Sequence, residues 1–265
     1  MSYLSYSQIN MFLRCGQSYK YRYIDGKIVP PSIALIKGKS CHVGIEENNV
    51  QKIITKKDLS KDEIIQASVD EYEKTLHESE IKFSEDEQKE GKTKIIGKTK
   101  DSIVSISELY SDEVAPNVQP IYAEKRVEFN IDGINIVSII DCIDDKNSIR
   151  DYKITGRSKN QNDVDSSLQL DLYAIAYYNL MGKLPKSLSF DCLVEKKEPV
   201  FQRLETQRKE SVIAPVSNLV VSVNEAIQKG VFLPASPDSW ACSKRWCGYY
   251  SECKYKGKVY DENYK

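Results

Sequence analysis

From Ile121 to Ile154 apolar and polar residues alternate with the two-residue period of a pleated strand, first in "IYAEKRVEFNIDGINIVSIIDCIDD" and then in "SIRDYKIT". The segments "IDG" and "DDKN" mark tight turns, so the stretch reads as three or more antiparallel strands. "SSLQLDLYAIAYYNLMG" follows as a helix, with serine at its start and glycine at its end. "KSLSFDCLVEKK" reads as a further strand and "APVSNLVVSVNEAIQKG" as a further helix. Strands, then helix, strand and helix again, is the order of a mixed α/β sheet flanked by helices rather than of a barrel.

The ends of the chain fit around this sheet. Ser5 and Gln8 resemble a capping box, so a short helix is expected from about Tyr6. Just beyond it Tyr19, Tyr21 and Tyr23 alternate with Lys20 and Arg22, either as a nucleic-acid-facing surface or as an amphipathic edge strand or helix end. Ser60 and Glu63 suggest another cap, opening a charged helical insert over about 52–117 whose solvated faces carry its charge. Its basic segment "GKTKIIGKTK" is a second candidate contact for DNA. With no internal repeat and no low-complexity linker, the 265 residues are expected to form a single domain, 1–265.

The balance of 38 basic and 39 acidic residues gives no general attraction to nucleic acid or membrane, so a polyanion site must be a local patch or borrow charge from metal ions. Two histidines, His42 and His77, exclude a histidine-rich metal centre. No apolar run approaches a membrane span, and "MSYLSYSQIN" does not read as an export signal, so a cytoplasmic location without a membrane partner is expected.

The chemistry concentrates at the last turn of the meander. Asp151 and Lys153 lie two apart on a strand and so share a face. The "DDKN" turn brings Asp141, set among Ile139, Ile140 and Ile143, close to them. A bare carboxylate in apolar surroundings is costly, and two that converge cost more unless a cation neutralises them. Hard divalent ions bind through one or two carboxylates with water and phosphate oxygens. A lysine beside such an ion can hold an attacking water or stabilise charge building on phosphorus. The arrangement suits metal-assisted phosphodiester hydrolysis, although a surface hairpin with an ordinary Asp–Lys pair would show the same spacing. On the following helix Gln169 and Tyr173 are spaced i, i+4 and project from one face.

Three of the seven cysteines, Cys242, Cys247 and Cys253, crowd into "WACSKRWCGYYSEC". An odd cysteine count without an export signal argues against a disulfide framework, and thiols this close in a reducing compartment point to metal ligation. Cys15, after the first helix among tyrosines, is the best fourth ligand, and the set would tie the terminal segments together. Cys41, Cys142 and Cys192 lie in apolar settings and read as core.

The histidine in "GKSCHVGIE", then Asp141, then "DYK", then Q-x-x-x-Y resembles, in this order, the RecB-like branch of the PD-(D/E)XK nucleases. The resemblance implies that His42, Asp141 and Asp151 bind Mg2+ or Mn2+ with the backbone carbonyl of Tyr152, and that Lys153 is the catalytic lysine. It implies that Gln169 and Tyr173 contact DNA or orient Lys153, with Glu124 or Glu128 as an extra acidic residue. One early and three late cysteines are similar to the CRISPR-associated RecB-like exonucleases and the AddB nuclease domain, which implies a [4Fe–4S] cluster on Cys15, Cys242, Cys247 and Cys253, in the region 240–255 plus Cys15. This chain spaces its first two late cysteines wider than the usual C-x(2)-C, and Zn2+ is the alternative.

The expected function is therefore a metal-dependent DNA exonuclease acting from DNA ends. Its settings would be DNA recombination, repair, phage DNA processing or CRISPR adaptation. No G-x(4)-G-K-[ST] motor motif occurs, so the DNA would be single-stranded or opened by a partner: a helicase, an annealing protein or CRISPR adaptation proteins. The competing readings are a non-catalytic DNA-binding or assembly module on a nuclease fold and a restriction-type endonuclease.

Overall fold

The structure is a computed structural model and describes residues 3–256. In chain order its strands are β1 (Leu4–Ser5), β2 (Pro120–Ile131), β3 (Ile134–Asp144), β4 (Ser148–Thr155), β5 (Ser187–Val194) and β6 (Val200–Thr206). Its helices are α1 (Tyr6–Arg14), α2 (Gly16–Tyr19), α3 (Ile33–Thr55), α4 (Lys61–Glu78), α5 (Glu85–Glu90), α6 (Lys92–Leu109), α7 (Gln161–Asp165), α8 (Leu168–Met181) and α9 (Ile213–Gln228). The strands form a six-stranded mixed sheet in the order β1-β3-β4-β5-β6, with β2 also paired to β3. Parallel β1–β3 and β4–β5 pairs join the antiparallel β3–β4 and β5–β6 pairs, so the sheet is mixed. The described residues fall into two compact units, one within Met1–Val29, Phe129–Val137 and Ala214–Lys265, the other within Pro30–Glu128 and Ser138–Ile213.

In the first unit Ser5 caps α1 by accepting from the Gln8 N–H, and Leu4 and Ser5 pair in parallel with Ile136 and Val137. The "IDG" turn has positive φ at both Asp132 and Gly133, +48° and +83°, the demand of a two-residue hairpin turn of primed type. Asn130 closes it by accepting from the Gly133 N–H at 2.7 Å. Tyr19 is fully buried among Phe12, Tyr23 and Phe232, and Lys20–Ile24 forms a π-helical turn. The tyrosine-rich segment is thus a helix end with one aromatic in the core, not an open surface.

The second unit has its core between α3, α4, α6 and the sheet, where Ile36, Ile45, Ile64, Ile103, Tyr110 and Tyr152 are buried together. Ser60 and Glu63 close a reciprocal capping box on α4. The α3–α4 contact depends on Gly44. A Cβ there would lie 2.1 Å from Ser68 Oγ and 2.7 Å from the Ile64 carbonyl oxygen, so any side chain forces the helices apart. The lysines of the basic segment on α6 are largely spoken for: Lys94 and Lys98 pair with Glu90, Lys100 with Glu73, and Lys92 lies over Phe83. That pairing weakens it as a DNA contact. Helix α8 starts at the Ser167 cap, ends at Gly182, buries Leu170 and Leu172 to Tyr177 and packs against β5. No helix among the described residues is long and apolar enough to cross a membrane.

Candidate active site

The β3–β4 ladder pairs Cys142 with Arg150 and Ile143 with Ile149. One residue further on, the Tyr152 N–H donates to the Asp141 carboxylate at 2.9 Å. The side chain of Asp141 is thereby held against the backbone between Asp151 and Lys153. Alternation along β4 turns Asp151 and Lys153 to one face and Arg150 and Tyr152 to the other. Lys153 Nζ lies 2.6 Å from Asp151 Oδ2, and Asp151 is 1% exposed on its side chain. That oxygen has the ammonium as an ion-pair partner but accepts no hydrogen bond of sound geometry.

Helix α8 supplies the adjoining side chains. Gln169 Oε1 accepts from Lys153 Nζ at 2.9 Å, while Gln169 Nε2 donates to Asp151 Oδ1 at 2.7 Å and to the Tyr173 hydroxyl at 3.0 Å. The amide therefore orients both members of the Asp151–Lys153 pair at once. The register β4–β5–β6 adds a residue that the spacing in sequence does not reveal. Lys153 pairs with Cys192, which pairs with Gln202. Gln202 clamps the backbone of Lys159, accepting its N–H at 2.9 Å and donating to its carbonyl at 3.0 Å. The Lys159 ammonium then sits 5.6 Å from the Phe190 ring centroid, the ring that Lys153 Nζ approaches to 5.1 Å.

On the other side α3 brings His42 to within 3.7 Å of Asp141, measured Nδ1 to Oδ2. Strand β2 brings Glu124. His42, Glu124 and Asp141 offer one donor atom each, all within 4.8 Å of one another. Glu124 has φ +43° in the middle of its strand, a left-handed conformation that a non-glycine residue adopts at a cost and that is concentrated at functional sites. Glu128 is exposed and bonded to Arg126, so of the two glutamates considered only Glu124 belongs to this group.

Electrostatics mark the same three residues. Burial, then the charges of Asp151 and Glu124, holds the Asp141 carboxyl well above the ordinary carboxylate range. Burial, then Glu46 and Asp151, pushes Glu124 up to about 7. Burial lowers His42, helped by Lys153 and opposed by Asp151 and a hydrogen bond to the Tyr152 backbone, which favours the neutral ring able to ligate. Converging carboxylates that resist ionisation, a neutral imidazole and a carboxylate oxygen without a hydrogen bond are the donor set a hard divalent cation requires.

The family model for the PD-(D/E)XK nuclease superfamily matches residues 3–254 of this chain. The chain belongs to the PD-(D/E)XK nuclease superfamily. Membership implies a metal-dependent hydrolase with DNA as substrate. Among solved structures, one from Eubacterium rectale, described as an exonuclease candidate, superposes with a TM-score of 0.59 at 13% identity, covering 92% of this chain and 87% of that one. At that identity the likeness is one of fold. A second, the protein SSO0001, is 14% identical over 97% of this chain and 88% of its own, with a TM-score of 0.42 that carries no argument. No curated protein matches this chain.

The cysteines of the first unit form a separate group. Cys15, Cys242, Cys247 and Cys253 line one small recess, walled partly by Tyr21 and Tyr249. Burial raises the Cys242 thiol, and next in effect are the neighbouring sulfurs of Cys247, Cys253 and Cys15. Cys15 Sγ accepts from the Ala235 N–H at 3.3 Å, and Cys247 Sγ lies 3.9 Å from the Ser18 hydroxyl. Among the described residues no three cysteine sulfurs lie within 4.8 Å of one another. Cys41, Cys142 and Cys192 are buried in the second unit, 2% exposed or less.

Proposed function

We propose that the protein is a Mg2+- or Mn2+-dependent deoxyribonuclease that degrades DNA from its ends. The observation that carries this reading is the connected set of Asp141 bonded to the Tyr152 backbone, the Asp151–Lys153 ion pair and the Gln169 amide that bonds Asp151, Lys153 and Tyr173, with His42 and Glu124 beside it. His42, Asp141 and Asp151, with the Tyr152 carbonyl, would hold the cation, and Glu124 joins them. When bound, that ion supplies Lewis acidity toward the phosphoryl oxygen and a low-pKa water. Lys153, paired with Asp151 and aimed by Gln169, stabilises the charge developing on the phosphoryl group. Tyr173 holds the Gln169 amide, and Lys159 adds a second ammonium on the same face to attract the DNA backbone. The exonuclease assignment draws on the description of the Eubacterium rectale fold relative and on the RecB-like order of motifs. DNA ends arise in recombination and repair, and a partner that opens the duplex would supply the substrate. With Mg2+ or Mn2+ the purified protein is expected to degrade linear DNA and spare closed circular duplex. Cutting of circles at fixed sites would point to an endonuclease, and binding of DNA without cutting under either metal would point to a non-catalytic module.

The four cysteines are assigned to a structural [4Fe–4S] cluster. They line one recess, a four-thiol donor set that fits such a cluster and also the alternative Zn2+. The expected preparation is brown, with about four iron atoms per chain and with absorbance that bleaches on reduction. Colourless protein with stoichiometric zinc would replace the cluster by zinc and leave the nuclease reading intact.

A further inference from the structure

The chain has two tryptophans, and both stand in solvent: Trp240 is 63% exposed and Trp246 is 61% exposed. Large aromatic rings dominate core and interface energetics, and two left uncovered side by side mark a contact surface. Their ring centroids are 5.8 Å apart with planes at 89°. Each indole carries a guanidinium: Arg14 lies 5.9 Å from the Trp240 ring and Arg245 lies 5.3 Å from the Trp246 ring. The loop beneath them is pinned. The Ser243 hydroxyl donates to the Trp240 carbonyl at 3.0 Å, and the Ser243 carbonyl accepts from Trp246 N–H at 3.2 Å and Cys247 N–H at 2.8 Å. Ordered backbone below and exposed rings above make a preorganised surface rather than a loose tail.

Charge selects the occupant. Between Trp240 and Lys256 the basic residues Lys244, Arg245, Lys254 and Lys256 face a single acid, Glu252, which Lys27 engages at 2.5 Å. An apolar protein partner would use the rings alone, whereas a nucleic acid strand supplies phosphates for the cations of this basic segment as well as π-faces for the indoles. Geometry selects the strand form. Two perpendicular indoles take two bases that are not parallel, which a duplex, with its bases stacked inside, cannot present.

We propose that Trp240 and Trp246, with Arg14 and Arg245, form a nucleobase-stacking platform for single-stranded DNA. The choice of DNA rests on the nuclease reading; the platform itself does not. The test uses the full chain in a chelator, so that no cleavage occurs, and follows fluorescence anisotropy of labelled oligothymidylate and of an abasic strand with equal phosphate number. The thymidylate is expected to bind at least about tenfold more tightly than the abasic strand. The double variant Trp240→Ala/Trp246→Ala is expected to lose roughly tenfold or more in thymidylate affinity, as stacking contributions of about 1–3 kcal/mol per base convert, with abasic binding unchanged. Phenylalanine at both positions should restore most of the loss and guards against misfolding of the alanine variant. Equal binding of the two strands, no binding of either, or an alanine variant as tight as the wild type overturns the platform. Metal-dependent cutting of linear duplex is scored separately: a platform failure leaves it in place, and a nuclease failure leaves the thymidylate preference in place.

Discussion

Asp141→Asn is expected to make the metal-free protein more stable and the enzyme nearly inactive. The carboxylate of Asp141 is desolvated and faces the charges of Asp151 and Glu124, and burial and repulsion both disfavour its ionised form. Its one hydrogen bond in the site, from the Tyr152 N–H, can be accepted equally well by an asparagine oxygen. Neutralisation therefore removes a cost and keeps the bond. In chelator the melting temperature should rise by roughly 2–4 °C, the equivalent of about 1 kcal/mol in a chain near this size. Mn2+ should then stabilise the wild type, by about 2.7 kcal/mol at a hundredfold excess over its dissociation constant, and the variant much less. Cleavage should fall roughly 10³-fold, because the cation and the charge it offsets are lost together. A variant less stable in chelator and still stabilised by Mn2+ would show that these carboxylates are not a cation site.

The second large effect lies on the opposite face of the same strand. Arg150 is buried, 4% exposed on its side chain, between Asp144 at 2% and Asp191 at 0%. Its Nε donates to Asp144 at 3.1 Å and its Nη1 to Asp191 at 2.9 Å. Asp144 also accepts from the N–H groups of Lys146 and Ser148, closing the turn, and Asp191 accepts from the Ser189 hydroxyl. Such a network adds little over an apolar replacement, but removing Arg150 leaves Asp144 without a cation and Asp191 with only Arg203 at 3.7 Å. Arg150→Met is expected to cost about 3–5 kcal/mol, a fall of roughly 6–20 °C in melting temperature. Adding Asp144→Asn and Asp191→Asn should recover part of it. The network also fixes register: a slip of one residue would exchange Arg150 and Asp151 between faces and dismantle the site. A melting temperature unmoved by Arg150→Met would refute the role given to this network.

These residues show what a linear reading can and cannot reach. Asp151, Lys153, Gln169 and Tyr173 were recoverable because strand and helix periods set which neighbours share a face, and Ser167 and Gly182 bound α8 with plain caps. The long helix α3 carried no such signal. It contains two glycines, and its buried face mixes Ser40, Asn48, Asn49 and Lys52 with Ile33, Ile36, Cys41 and Ile45, which blurs the apolar stripe. Asn48 bonds Asp58 and Tyr110, and Lys52 bonds Asp58 and the Ala115 carbonyl, partners visible only once the helices pack. Glu124 and Glu128 are four apart on one strand and equivalent in pattern; the turn of the backbone at Glu124 separates them, and no residue type announces it. Strand β6 is half-exposed along its length, without the alternation that identifies a strand, so neither it nor the Gln202 clamp on Lys159 was foreseeable.

The most direct measurement is single-turnover digestion of end-labelled linear DNA by the wild type and by Lys153→Ala, each with Mn2+ and with chelator, at matched thermal stability. Release of label by the wild type with Mn2+ alone, and none by Lys153→Ala, is the predicted result. Release that persists in chelator or in Lys153→Ala would contradict a cation-and-lysine site at the end of β4.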